Sequence, residues 1–277
     1  MPWTARSGNT YRLCLLDTNA LSEILKRPSI EGRGFVEKYK PSAYVPCLTV
    51  YNLIELRRKP TLFEAYIDFF SFYAHFLLKP YQLILADERK ANGELNSISA
   101  LMQAFSPLGK DSSYRLRQFI TSFFNLPEIA DVEQNWRKEE KDTLHAWLKN
   151  RSNFSPLGKT ANAKDAERYV KDAGLQTLIN IAPHWAKGKI DAGHIPNVDN
   201  FPSLKVMLYS QYYRIFDPDW EPRPQEVADV SIMSSAPYVD VVITEKFQAE
   251  ILRKVKSKVA RMANLEISTL RDIRYKH

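Results

Sequence analysis

The sequence predicts an α/β fold in which a central, mostly parallel sheet is covered by helices and interrupted by an all-helical insertion. Three observations predict it. Short apolar, β-prone segments alternate with helical patterns towards both ends of the chain. Between them, Phe105 to Phe201 holds helical patterns rich in charge and Trp (Trp136, Trp147, Trp185) with no convincing strand. The late segment Val239 to Thr244 (VDVVIT) then reads as the clearest buried strand in the chain.

Taken in order, Tyr11 to Leu16 (YRLCLL) is the first strand and ends at Asp17-Thr18-Asn19. A helix follows through Ala20 to Leu25 and breaks at Pro28. Tyr44 to Leu48 is the second strand, and Thr49 caps a helix through Leu53, Glu55 and Leu56 that stops before Pro60. Phe63 to Leu78 reads as one strongly aromatic helix, Tyr81 to Leu85 as a third strand, and Ala91 to Ala104 as the helix after it. In the middle, Phe-Ser-Pro-Leu-Gly-Lys occurs at Phe105 to Lys110 and again at Phe154 to Lys159, each copy read as a loop between helices. A helix begins at Val227-Ala228-Asp229 and runs through Met233 and Ala236. After the VDVVIT strand comes a basic amphipathic helix, Phe247 to Met262, with Ile251, Leu252, Val255 and Val259 on one face. Leu265 to Ser268 is a last edge strand. The expected division is a first α/β part at 8–104, a helical insertion at 105–203 and a second α/β part at 204–277.

Composition narrows the function classes. The 277 residues are 44% hydrophobic and 12% aromatic, which excludes wholesale disorder. Two cysteines exclude a disulfide scaffold and a four-cysteine zinc site; buried free thiols are expected for Cys14 and Cys47. The longest apolar run, Phe69 to Leu78, is about half a membrane span, and Met1 to Thr10 lacks an apolar signal core, so a cytoplasmic protein is expected. The net charge is +7, and from Lys246 onward nine Lys/Arg face three acids, so this tail carries +6 of it. Such a tail is either a solvated helix face or a phosphate-contacting surface. None of His75, His145, His184, His194 and His277 stands at ligand or triad spacing.

Four carboxylates occupy special places. Asp17 ends the first strand, Glu55 lies one to two turns into the helix after the second, Asp229 begins the helix before the late strand, and Glu245 ends that strand. The carboxyl ends of parallel strands form the ligand crevice of open α/β sheets. Carboxylates gathered there raise one another's pKa unless a cation neutralises them, and an all-oxygen donor set suits Mg²⁺ or Mn²⁺. Singly, Asp17 and Asp229 read as helix caps, Glu55 as a solvated helix residue and Glu245 as a strand end.

The set, in this order, resembles the PIN-domain nucleases. Apolar strand then Asp17-Thr18-Asn19 is similar to their opening motif, and Thr49-Val50-Tyr51-Asn52-Leu53-Ile54-Glu55 to their second, where a Ser or Thr precedes the acid by six positions. Asp229, Ala236-Pro237-Tyr238-Val239-Asp240 and Thr244-Glu245 resemble the C-terminal motifs of longer PIN-like proteins. The resemblance covers about residues 11–100 and 205–275 and leaves the insertion without a counterpart. It implies a three-layer α/β/α PIN-like domain and metal-dependent endonucleolytic cleavage, of RNA first and DNA as the alternative. Asp17, Glu55 and Asp229 would ligate one or two Mg²⁺ or Mn²⁺ ions. Glu245 would be the fourth acid, where Asp is more usual, with Asp240 its competitor at the far end of the strand. Asn19 and Thr244, with Thr18, would shape the metal shell or bind phosphate, and Arg253, Lys254, Lys256 and Lys258 would hold the nucleic-acid backbone. Arg57-Arg58-Lys59 could add to that hold. The aromatic helix at Phe63 is expected to be buried against the insertion, or else to meet a second copy or an inhibitory protein, as in toxin-type PIN ribonucleases. A toxin-like or defence-related ribonuclease is the leading expectation. The alternative is a nucleic-acid-binding or regulatory module on the same scaffold, with little catalysis.

Overall fold

A computed structural model describes residues 3–5, 8–107, 111–153, 162–217 and 221–274. The strands are β1 (Trp3–Thr4), β2 (Thr10–Leu16), β3 (Tyr44–Thr49), β4 (His75–Leu78), β5 (Leu101–Phe105), β6 (Val241–Thr244) and β7 (Glu266–Thr269). In one sheet they lie in the order β5-β4-β3-β2-β6-β7, with β1 pairing antiparallel to the start of β2. The pairs β2/β3, β3/β4, β2/β6 and β6/β7 are parallel, and β5 is an antiparallel edge. Central strands buried on both faces read as apolar runs, and LCLL of β2, VVIT of β6 and HFLL of β4 are each fully buried. The fold is therefore α/β, with a mostly parallel central sheet flanked by helices.

The helices before the insertion are α1 (Thr18–Lys26), α2 (Arg33–Lys38), α3 (Val50–Arg57), α4 (Pro60–Phe70) and α5 (Tyr81–Ala91). Then come α6 (Ser112–Phe124), α7 (Pro127–Asn153), α8 (Ala163–Ile181) and α9 (Pro183–Asp191). The chain closes with α10 (Pro202–Ile215), α11 (Gln225–Met233), α12 (Lys246–Lys256) and α13 (Leu270–Ile273). Among the described residues between β5 and α10 every regular element is helical. The insertion shares one hydrophobic core with the sheet, through Leu116, Trp136 and Tyr169. Leu108 to Lys110, the second hexapeptide copy at Phe154 to Lys159, Lys276 and His277 lie outside the described residues.

Three expected elements differ. The aromatic helix from Phe63 to Leu78 is instead α4 followed by the parallel strand β4. A continuous apolar run satisfies either period, and the sheet takes its second half because β3 offers a free parallel edge. The expected third strand, Tyr81 to Leu85, is the first half of α5, where Tyr81, Ile84, Leu85 and Glu88 recur at helical spacing after Pro80. That helix ends at Asn92 in the left-handed region (φ 47°) before Gly93, so the expected helix from Ala91 to Ala104 becomes a turn and the antiparallel strand β5.

The aromatic residues of α4 are largely buried. Tyr66 and Phe70 stack on His75 of β4, whose imidazole bonds the Tyr66 hydroxyl at 2.8 Å and the Tyr73 carbonyl at 3.0 Å. Burial lowers the His75 pKa to about 4, so it is a neutral core residue. Phe72 alone of this series stands well out of the surface, at 72% exposure. Cys14 and Cys47 are buried, unpaired thiols on neighbouring strands.

Glu88 of α5 is fully buried and accepts from the Ser203 amide (2.8 Å), the Ser203 hydroxyl (2.7 Å) and the Tyr238 hydroxyl (2.6 Å). Burial raises its pKa to about 7 against these bonds and nearby Arg261. The folded chain thus holds this proton more tightly than the unfolded one, so stability present below about pH 4.5 is lost as pH rises through about 7. The contribution is about 2–3 kcal/mol. Glu88→Gln keeps the shape and removes the titration. Urea midpoints from pH 5 to 7.5 are expected to fall less steeply in the variant than in the parent.

Candidate active site

The sheet reverses direction of growth between β2 and β6. From β2 the chain builds outward to β3 and β4, then returns to place β6 on the other side of β2. In open parallel sheets such a switch point leaves a crevice at the carboxyl ends of the two strands. Asp17 and Glu245 are the residues immediately after β2 and β6.

Asp17 caps α1 and is buried. One carboxylate oxygen accepts from the Ala20 amide at 2.5 Å, and the other accepts from the Thr244 hydroxyl and, at 3.2 Å, from the Glu245 amide. Burial pushes its pKa up to about 6; those three donors oppose the shift and the Glu245 carboxylate adds to it. Glu245 precedes the first turn of α12, and its side chain does not cap the helix. Its Oε2 instead accepts from the Asn19 amide at 3.3 Å.

Glu55 reaches the crevice from α3. The Thr49–Asn52 capping box starts that helix and leaves the Asn52 amide free to donate to the Thr18 hydroxyl at 3.0 Å. Thr18 in turn bonds Glu55, whose pKa burial nonetheless raises. The Glu55 Oε2 atom is buried without a hydrogen-bond partner.

Asp229 sits in the middle of α11 rather than at its start, because the helix begins a turn earlier, at Gln225. Burial raises its pKa to about 8; Arg214 pulls it down, while the charges of Asp17, Glu55 and Glu245 push it further up. Asp17, Glu55 and Glu245 are thus each within electrostatic reach of Asp229. Among the described residues no three His, Cys, Asp or Glu side chains stand ready in metal-ligating geometry.

Sequence reasoning missed Arg214. This buried guanidinium on α10 bonds Glu226 at 2.7 Å, Asp229 at 3.4 Å and the Gln248 side chain, and lies 5.4 Å over the Phe247 ring. The signal was an arginine set among Tyr212, Tyr213, Ile215 and Phe216, since a charge inside an apolar helix is buried only with partners.

Other expected residues lie elsewhere. Asp240 is at the opposite, amino end of β6, where its carboxylate accepts from the Leu13 amide at 2.8 Å, so it locks β6 to β2 away from the crevice. Lys256 donates to the Leu265 carbonyl at 2.7 Å and Lys258 pairs with Glu167 at 2.5 Å. Arg253 and Lys254 are exposed, about 12 Å along α12 from Glu245. Arg57 and Arg58 pair with Glu133 (2.6 Å) and Glu140 (3.4 Å) of α7 and tie α3 to the insertion. Comparison with protein-family models, curated protein sequences and solved structures gives no match to this chain.

Proposed function

We propose that the chain is a divalent-metal-dependent nuclease of the PIN-like type that hydrolyses RNA phosphodiester bonds. The observation that carries this reading is the convergence of Asp17, Glu55, Asp229 and Glu245 at the switch point between β2 and β6, with three of the four held above their ordinary pKa. Carboxylates destabilised in this way gain from a cation. The unpartnered Glu55 Oε2 and the all-oxygen donor set fit Mg²⁺ or Mn²⁺.

Asp17, Glu55 and Asp229 would hold one or two such ions, with Glu245 completing the set. Bound there, the metal supplies Lewis acidity and charge neutralisation at the phosphodiester. The protein's own groups do the positioning. Thr244, Ala20 and the Glu245 amide fix the Asp17 carboxylate, Thr18 fixes Glu55, Asn19 steadies Glu245, and Arg214 anchors Asp229. The uncapped amino end of α12, with exposed Lys246, would receive the backbone phosphate. Hydrolysis then joins a water oxygen to phosphorus, breaks one P–O ester bond and leaves a proton on the departing oxygen.

The Arg214–Asp229 pair favours a second reading. A guanidinium already neutralises one acid, as in a nucleic-acid-binding module on this scaffold that turns over little. Labelled single-stranded RNA and DNA incubated with Mn²⁺, Mg²⁺ or EDTA separate the two. Cleavage of RNA that EDTA abolishes is the expected result. Binding without cleavage under every condition would select the second reading.

A further inference from the structure

A cavity of about 740 Å³ lies between α7 and α8 of the insertion and α5, α10 and α11 of the sheet domain. It is separate from the acids. Val227, Val230 and Ser231 of α11 line it, while Asp229 projects from the opposite side of that helix. Its volume is that of a small-molecule site.

Its chemistry is one-sided. Four aromatic residues line it, Tyr81, Trp136, Trp147 and Tyr169, together with two acids, Glu139 and Asp172. No Lys, Arg or His is among its described lining residues, in a chain of net charge +7. A neighbouring cavity of about 760 Å³, between α8 and α10, is instead lined by Lys171, Lys205 and Lys258 as well as acids. Trp136 is 2% exposed, so only a small part of its ring borders the cavity. The walls are held by their own bonds, Gln211 donating to the Tyr169 hydroxyl at 2.7 Å and Tyr51 to Gln82 at 3.0 Å. Burial and Asp131 hold the Glu139 carboxyl above its usual range.

We infer that this cavity binds a small organic cation, its ammonium held by the aromatic side chains and the Glu139 and Asp172 carboxylates. Aromatic rings attract a desolvated cation through the ring quadrupole, and the two carboxylates add to that field. The same field repels phosphate, so this site takes a ligand of a different class from the nucleic acid at the acidic crevice.

The test uses the full chain and dansylcadaverine, whose ammonium is cationic. Its neutral N-acetyl derivative is the control. Saturable fluorescence enhancement by the amine, roughly 10-fold tighter than the acetylated probe, is the expected result. Glu139→Gln/Asp172→Asn, at an exposed or half-buried rim, is expected to keep the parent melting temperature and weaken the amine roughly 10-fold. Trp147→Leu should weaken it as well. Equal binding of both probes, no saturable binding, or loss in Asp17→Asn but not in the double variant would overturn the inference.

Discussion

Asp17→Asn is expected to lower metal-dependent RNA cleavage on the order of 10³-fold while leaving the fold intact, because it removes the carboxylate that Ala20, Thr244 and the Glu245 amide hold at the switch point. The stability effect has the opposite character. The folded pKa of about 6 exceeds the unfolded value near 4, so the ionised carboxylate weakens the fold as pH rises through that window. Asparagine removes this cost. It also removes an acceptor from the Thr244 hydroxyl or the Glu245 amide, a loss of about 1 kcal/mol. The variant should therefore melt at pH 7.5 no more than a few degrees below the parent. Circular dichroism melts beside the cleavage assay check both halves. Undiminished cleavage by a clean Asp17→Asn preparation would sink the nuclease reading; lost cleavage with lost structure would send the test to Asp229→Asn.

Arg214→Met is expected to cost about 3–5 kcal/mol of stability, because it leaves Glu226 and Asp229 facing each other without their cation. Glu226 is 3% exposed, so removing the guanidinium costs it a charge partner inside the protein. Methionine keeps an apolar side chain of similar length and gives up the charge, the hydrogen bonds and the guanidinium's contact with the Phe247 ring. Adding Glu226→Gln should recover part of the deficit, and the double-mutant cycle measures the coupling. A loss under 1 kcal/mol in denaturant titrations would show that Arg214 is not the keystone of this cluster.

The elements legible in the sequence were those with one available period. β2, β3 and β6 are bounded by a cap residue or proline and are too short for a helix; α1 and α3 follow with side-chain caps in place, and α12 follows β6 without one. The places of Asp17 and Glu245 at the strand ends were legible for the same reason: each directly follows such a strand. The apolar run through α4 and β4 was not, because its composition suits helix and strand equally. The choice fell to the open edge of β3.

By itself, then, the sequence determined the α/β alternation, the helical character of the insertion and the order of the four acids along the chain. Only the tertiary structure decided that α11 starts early enough to put Asp229 in mid-helix. It also decided that Arg214 lies beneath Asp229, that Lys256 and Lys258 serve internal contacts, and that insertion and sheet enclose an acidic, aromatic cavity. The physical reason is range. Caps and hydrophobic periods act over a few neighbouring residues. Burial of a charge and closure of a cavity depend on segments far apart in the chain, as Arg214 with Gln248 and Glu88 with Tyr238 show.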